Sequence, residues 1–129
     1  MPLKVNLTSS ELKAQVVTSE PGWYPFKLDA VDRQKSKDGN SFNYIFDWVG
    51  VSDGEMRDVP IREYVSEKKS QIGRIGDIVE GFGETVDKDA GYSGDLEAFV
   101  GAVQELNIVI GDFNGQPKNE IKGHRKRRD

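Results

Sequence analysis

The sequence predicts a single, mainly β domain with one helical insert. Residues 22–33 and 42–51 alternate between apolar and polar side chains, and the polar stretch between them is typical of a hairpin turn. From about residue 65 to residue 82 the apolar spacing changes to three and four, which is the period of a helix packed on a sheet. Alternation returns over residues 105–113 and meets an Asn114-Gly115 pair, a strong signal for a tight hairpin. A chain of 129 residues suits one domain of this kind with its own core.

The first two predicted strands form a long hairpin. Strand one covers residues 22–33, and its apolar face holds Tyr24, Phe26, Leu28 and Ala30. The turn at residues 36–40 contains an Asp-Gly and a Gly-Asn pair, which tolerate positive φ. Strand two covers residues 42–51 and ends at a turn signal in residues 52–55. Residues 56–61 then form a short third strand, which completes a three-stranded meander.

A helix and two further strands follow. The apolar face of the helix holds Ile72, Ile75, Ile78, Val79 and Phe82. Gly73 and Gly76 lie inside it, and each costs about 1 kcal/mol relative to alanine. Residues 95–100 form a short helix with Ser93 near its cap. The final strands are expected over residues 105–113 and 118–122.

This element order matches the five-stranded OB barrel, in which the middle strands and adjoining loops bind ligands. We therefore expect an OB-fold-like antiparallel barrel over residues 22–123, although a generic antiparallel α+β sheet would give a similar pattern. Residues 1–21 are expected to form an N-terminal arm or an edge strand. Residues 124–129 are expected to form a basic, disordered tail.

Composition indicates a soluble, intracellular protein and does not exclude nucleic acid as a partner. The chain has no cysteine for a disulfide framework, and it lacks both a secretory signal and an apolar run long enough to span a membrane. We therefore expect a cytoplasmic location, in the host cell if the protein is phage-encoded. The net charge of −4 hides an asymmetry, because residues 117–129 carry +4 and the remaining chain carries −8. Screening keeps such patches locally distinct, so an acidic body can still bind phosphate through them.

The residues that enzymes use are scarce. The single histidine, His124, lies in the basic tail, and no Cys or His cluster could hold zinc. No phosphate-binding glycine loop is present. Residues 87–91 begin like a calcium loop, but Tyr92 and Ala98 stand where that loop needs glycine and glutamate. The sequence therefore predicts no catalytic residue, metal or cofactor, and a carboxylate-metal nuclease ranks last among the hypotheses.

Aromatic side chains are concentrated in the first hairpin, which holds seven of the twelve in the chain. Trp23 alternates with the apolar face of strand one, so we expect it to be exposed. Tyr44 and Trp48 share a face with Phe42 and Phe46, and the four could form the core. If the opposite face of strand two is buried instead, Tyr44 and Trp48 become outward platforms for stacked bases.

Basic residues lie near these aromatics. Arg33, Lys35 and Lys37 flank the hairpin tip, and three cations beside stacking surfaces favour phosphate contact over simple solvation of a loop. The predicted nucleic-acid-binding residues are Trp23, Lys27, Arg33, Lys35, Lys37, Tyr44, Trp48, Arg62, Lys68, Arg125, Lys126 and Arg127.

Several short motifs resemble those of a known family. Gly22-x-Tyr24 opens a strand, Ser36-Lys37-x-Gly39-Asn40 forms a turn, and an aromatic-rich strand follows. Phe99-Val100-Gly101 precedes an alternating strand, and the run from Phe113 to Lys122 forms a closing hairpin. With this pattern, residues 22–123 resemble small phage-encoded OB-fold proteins of the single-stranded DNA-binding kind.

The resemblance implies an accessory protein of DNA replication or recombination that coats transient single strands without sequence preference. Many such proteins end in an acidic tail that recruits replication partners, whereas this sequence ends in a basic run, residues 125–128. Because of this difference, recruitment of replication partners through the tail is in doubt, and the alternative is that the basic tail contacts nucleic acid.

Two functions from different classes therefore remain. The first is sequence-independent binding of single-stranded DNA, with RNA as an alternative ligand and with replication or recombination proteins and oligomerisation left open. The second is a protein-binding adaptor or small structural accessory protein that uses the exposed hairpin, which the acidic body favours.

Overall fold

A computed structural model describes residues 2–13, 16–18, 20–69 and 71–128. The strands are β1 (Gly22–Lys35), β2 (Phe42–Gly50), β3 (Pro60–Ser66), β4 (Val103–Phe113) and β5 (Gln116–Arg125). The helices are α1 (Ser9–Lys13) and α2 (Gly73–Gly81), and a single 3-10 turn covers Leu96–Phe99. The predicted class, a mainly β fold with five antiparallel strands and little helix, is confirmed.

All five strands lie in one antiparallel sheet, in the order β3-β2-β1-β4-β5. The long β1 is central because its first part, from Gly22 to Lys27, pairs with β4 and its later part, from Phe26 to Lys35, pairs with β2. Strands β3 and β5 are the two edges, and no backbone ladder joins them within the described residues. The sheet is not closed, so the barrel and the OB-fold stay predictions.

The core covers one face of this sheet. Its fully buried side chains include Phe26, Leu28, Phe46, Trp48, Ile78, Leu106 and Ile108. Because Ile78 comes from α2, the helix packs on the sheet as the spacing of its apolar residues predicts. Each buried side chain of this size contributes about 1.5–3 kcal/mol.

A β-bulge changes which β1 residues face the core. The register pairs Leu28 with Trp48 and Val31 with Phe46, so one extra residue is accommodated between Leu28 and Ala30. Val31 then returns to the inner face, and Ala30 is exposed. The prediction that Ala30 belongs to the apolar face is therefore wrong beyond the bulge.

Turn chemistry explains the tight connections. Asn114 and Gly115 adopt φ values of 53° and 81° between β4 and β5, as predicted for this pair. Gly50 ends β2 where the backbone folds back on itself, and a Cβ built there would lie 1.8 Å from the carbonyl oxygen of Met56. Only glycine fits so close an approach.

Three predicted boundaries differ from the structure. Residues 56–59 form a turn and β3 begins at Pro60, so the predicted strand at residues 56–61 is displaced. The helix is shorter than the predicted 65–82, because residues 65 and 66 still belong to β3. Asp95, and not Ser93, caps the 3-10 turn by accepting a hydrogen bond from the backbone N–H of Glu97 at 3.0 Å.

The two termini also differ from expectation. Strand β5 continues to Arg125, so the predicted boundary at residue 124 falls inside the sheet. Within residues 2–13, 16–18 and 20–21 of the predicted arm, the regular structure is helix α1 and no edge strand forms. Thr18 is attached to the edge strand β5, since its N–H donates to Asn119 Oδ1 at 2.8 Å. Neither helix of the described ranges has the length and apolar character needed to cross a membrane.

Candidate nucleic-acid interface

Strand register places four predicted residues on the outer face of the sheet, opposite the core. Trp23 and Lys27 fall out of phase with the buried Phe26, because side chains alternate along a strand. Arg62 pairs with Asp47, which lies between the buried Phe46 and Trp48. Arg125 pairs with Glu105, which lies between the buried Gln104 and Leu106. The outer-face residues of the predicted site are Trp23, Lys27, Arg62 and Arg125.

Other predicted residues lie around the tip of the hairpin. Arg33 and Lys35 pair with Tyr44 and Phe42, which extends the inner face of the sheet beyond the core. Lys37 is exposed in the turn between β1 and β2. Lys68 is exposed in the connection that follows β3. Hydrogen bonds from Ser36 and from the backbone of Asn40 hold the pKa of Asp38, in the turn between β1 and β2, below its ordinary value, and the charge of Lys68 adds to this effect. The predicted residues therefore occupy two separate surfaces.

One predicted aromatic is not available to a ligand. Trp48 is 1% exposed, and its ring stacks between Phe46 and Phe82 with centroid distances of 6.3 and 5.8 Å. The prediction that Trp48 is an outward stacking platform is therefore wrong. Tyr44 is half-buried and packs against the edge of the core, so it offers only part of its ring.

Trp23 and Arg125 form an exposed pair of an aromatic ring and a cation on the outer face. Trp23 is 37% exposed, and the Arg125 guanidinium lies 4.1 Å from its ring centroid. The indole can lie flat because Gly123 is beneath it, where a Cβ would lie 3.2 Å from Trp23 Cη2. Indole and guanidinium planes are both surfaces on which nucleic-acid bases stack.

A depression of about 430 Å³ opens beside this pair, between β5 and α2. Its charged lining residues are Arg74, Asp77, Glu80, Lys122, Arg125 and Lys126. Four of these are basic and two are acidic, which gives the site a net charge of +2 in a chain whose net charge is −4. The volume is within the range of small-ligand sites.

Three of the four arginines of the predicted site are already paired with carboxylates. Arg33 donates to Glu67 at 2.6 and 3.1 Å, and Arg62 donates to Asp47 at 2.7 and 3.3 Å. Arg125 Nε donates to Glu105 at 2.5 Å. A phosphate would have to compete with these partners, so each arginine provides less attraction than an unpaired cation.

Two of these ion pairs shift the pKa of one of their members in the direction that favours the charged form. The hydrogen bond from Arg33 holds the pKa of Glu67 below its usual value, although burial opposes the change. The hydrogen bonds of Asp47 raise the pKa of Arg62. Glu67 therefore remains a charged partner of Arg33 at neutral pH.

The lysines differ from the arginines. Every salt bridge among the described residues uses an arginine or His124, and none uses a lysine. Lys35, Lys37, Lys68 and Lys126 are exposed, as is Arg127. These side chains can therefore meet phosphate without first breaking an ion pair.

A buried polar network, which the sequence does not predict, joins the two edge strands. His124 of β5 and Glu63 of β3 have side chains only 3% and 4% exposed, and Nε2 lies 3.0 Å from Oε2. Glu63 Oε1 accepts from Trp48 Nε1 at 3.1 Å. His124 Nδ1 lies 2.7 Å from Gln104 Oε1. Side chains thus connect β3 to β5 where the backbone does not.

The hydrogen bonds define where protons lie in this network. Gln104 Nε2 donates to the carbonyl of Ile78 at 2.9 Å, so Gln104 Oε1 must be the acceptor that faces His124. His124 Nδ1 therefore donates to Gln104 Oε1, and His124 Nε2 faces Glu63 Oε2. Both ring nitrogens are occupied, which leaves neither free for a substrate.

A larger groove of about 1080 Å³ lies between the inner face of the hairpin, α2 and the segment from residue 86 to residue 97. Its charged lining residues are Asp32, Arg33, Asp77, Glu80, Asp87, Lys88, Asp95 and Glu97. Six acidic groups against two basic ones give a net charge of −4, which disfavours a polyanion in this groove.

In the described part of the chain, no group of three or more histidine or carboxylate side chains is placed to hold a metal ion. Comparisons of the chain with protein-family models and with curated proteins find no match.

Proposed function

We propose that this protein binds single-stranded DNA without sequence preference, through the outer face of its sheet near β5. The observation that carries the proposal is the pair formed by Trp23 and Arg125, an exposed indole under a guanidinium beside a depression of net charge +2. In this proposal the coiled sheet acts as an OB-fold-like barrel, with the contact between Glu63 and His124 joining its edges.

Binding would combine stacking with phosphate contacts. One base would displace the Arg125 guanidinium from the Trp23 ring and stack there, a contact worth about 1–3 kcal/mol. Lys126, Arg127 and Lys27 would contact the backbone on either side of that base. The hairpin tip, with Lys35 and Lys37, would hold a more distant part of the strand.

Cytoplasmic DNA replication or recombination is the process we propose for this activity, in a host cell if the protein is phage-encoded. RNA is the alternative ligand, since stacking and phosphate contacts do not require a particular sugar.

The proposal is tested by fluorescence anisotropy of a labelled oligothymidylate. We expect Trp23→Ala to weaken binding by about 5- to 150-fold, because it removes one stacked base worth about 1–3 kcal/mol. Tyr64→Ala is the matched control, since Tyr64 is an exposed aromatic on the opposite edge strand β3. Equal affinity of the Trp23→Ala variant and the wild type would refute the proposed interface.

Salt dependence provides the second readout. Contacts to about four phosphates of a single strand predict a slope of log Kobs against log salt near −3, or about 50-fold weaker binding at about 200 mM than at about 50 mM. Substitution of both Lys35 and Lys37 by glutamine should make this slope shallower, because the hairpin tip then contacts fewer phosphates. A slope near zero would mean that phosphate contacts do not contribute.

A protein-binding adaptor is the second candidate function. The observation that favours it is the acidic groove of about 1080 Å³, which is larger than the basic depression and unsuited to nucleic acid. Recovery of one stoichiometric protein partner without nucleic acid would support this function over the first.

A further inference from the structure

The acidic groove has an apolar floor. Val31 and Tyr44 line it from the hairpin, Ile75 lines it from α2, and Val86 and Leu96 line it from the opposite segment. Ile72, just before α2, also lines the groove and is exposed. Exposed apolar surface in a concave site marks a place where another apolar segment binds.

The charge of the groove restricts what could bind there. Its net charge of −4 comes from the carboxylates of Asp32, Asp77, Glu80, Asp87, Asp95 and Glu97, against two basic groups. An apolar segment with positive charge is therefore complementary, whereas nucleic acid and acidic peptides are not.

The N-terminal arm of the same chain has these properties. Leu3 and Val5 are 98% and 77% exposed, and Leu7 is also exposed. In an extended segment, side chains two residues apart point to the same side, so the three form one apolar row. Lys4 is the only charged residue between residues 2 and 8.

We propose that the arm of a second copy of this chain lies in the acidic groove, with the Leu3, Val5 and Leu7 row on the apolar floor and Lys4 offsetting part of the negative charge of the groove. One chain carries both complementary parts, so two copies can exchange arms reciprocally. The arm joins its own fold through Thr18 and Asn119 on edge strand β5, whereas the groove lies against the β1–β2 hairpin and α2. Leu3, Val5 and Leu7 are exposed and do not line the groove, so the arm lies outside the groove of its own chain. A second copy is therefore the occupant that the geometry favours.

The absence of cysteine from the chain makes a direct test possible. One full-length variant carries Val5→Cys and another carries Ile72→Cys, and the two are mixed under mild oxidation without nucleic acid. We expect a disulfide-linked heterodimer to form faster than either homodimer. Val100→Cys is the control partner, because Val100 is similarly exposed and does not line the groove.

Two outcomes of this cross-linking would overturn the proposal. Equal trapping of Val5→Cys by Val100→Cys or by Tyr64→Cys would show random collision or pairing with the β3 edge. An intramolecular disulfide in the Val5→Cys/Ile72→Cys double variant at high dilution would show that the arm occupies its own groove.

Sedimentation of variants without cysteine tests the same contact at equilibrium. We expect Val5→Ser to raise the dimer dissociation constant about tenfold, because a buried apolar side chain is lost, and Asn6→Ser on the opposite side of the arm to change it less than about twofold. A wild-type chain that remains monomeric at every accessible concentration would refute the exchange. Oligonucleotide binding is measured separately, so failure here leaves the proposed function intact.

Discussion

The substitution His124→Ala should strongly destabilise the fold, because it removes the nearest partner of the buried Glu63 carboxylate. In His124→Ala the carboxylate of Glu63, which is 4% exposed in the wild type, loses its partner at 3.0 Å and keeps Arg74 Nε at 3.9 Å. Breaking a buried ion pair from one side costs about 3–5 kcal/mol, because an uncompensated charge remains in the interior. We expect a loss of this size in the free energy of unfolding.

Substitution of Glu63 provides the matched comparison. Glu63→Gln keeps an acceptor for Trp48 Nε1 and can donate to a neutral His124 at Nε2, so we expect a cost of only about 1 kcal/mol. The double variant Glu63→Gln/His124→Ala contains no buried charge. It should therefore be more stable than His124→Ala alone, although it contains one more substitution.

Urea unfolding followed by circular dichroism measures all three variants against the wild type. If His124→Ala costs less than about 1 kcal/mol, or if the two substitutions simply add, the buried pair is not stabilised as described. If Glu63 is an unpaired buried charge in His124→Ala, then adding Glu63→Gln must restore part of the lost stability.

Two further predictions follow from the hairpin and its turns. Gly50→Ala should destabilise the fold by at least about 1–3 kcal/mol, because the new methyl group would collide with the Met56 carbonyl, and thermal unfolding measures the loss. The lowered pKa of Glu67 means that its pair with Arg33 adds stability above the ordinary carboxylate pKa and loses it as pH falls through the folded value. In Arg33→Gln, an NMR titration should show the Glu67 pKa returning upward; an unchanged pKa would contradict the assigned cause.

The elements with strong periodicity were predictable from the sequence. The hairpin of β1 and β2 and the Asn114-Gly115 turn follow from alternation and from turn residues that tolerate positive φ. The position of β3 was not predictable, because it depends on the close approach of Gly50 to Met56 and on a positive φ of 62° at Asp58. A close approach between two segments and a single unusual backbone angle leave no local pattern in the sequence.

The environment of His124 was missed for a related reason. An uninterrupted register from the Asn114-Gly115 turn would place His124 opposite Glu105, on the outer face. A bulge between Asn107 and Ile108 shifts the pairing, so His124 lies opposite Leu106 and faces the core. The exposure of Trp23 followed from alternation alone, since no bulge lies between it and the buried Phe26.

A titration of the wild-type protein with oligothymidylate, followed by tryptophan fluorescence at low salt, examines the proposed DNA interface itself. The chain has two tryptophans, and Trp48 is 1% exposed, so of these two only Trp23 can stack with a base. We expect saturable quenching that disappears in Trp23→Phe and weakens as salt is raised. Unchanged emission, or quenching that persists in Trp23→Phe, would contradict binding of single-stranded DNA at this surface.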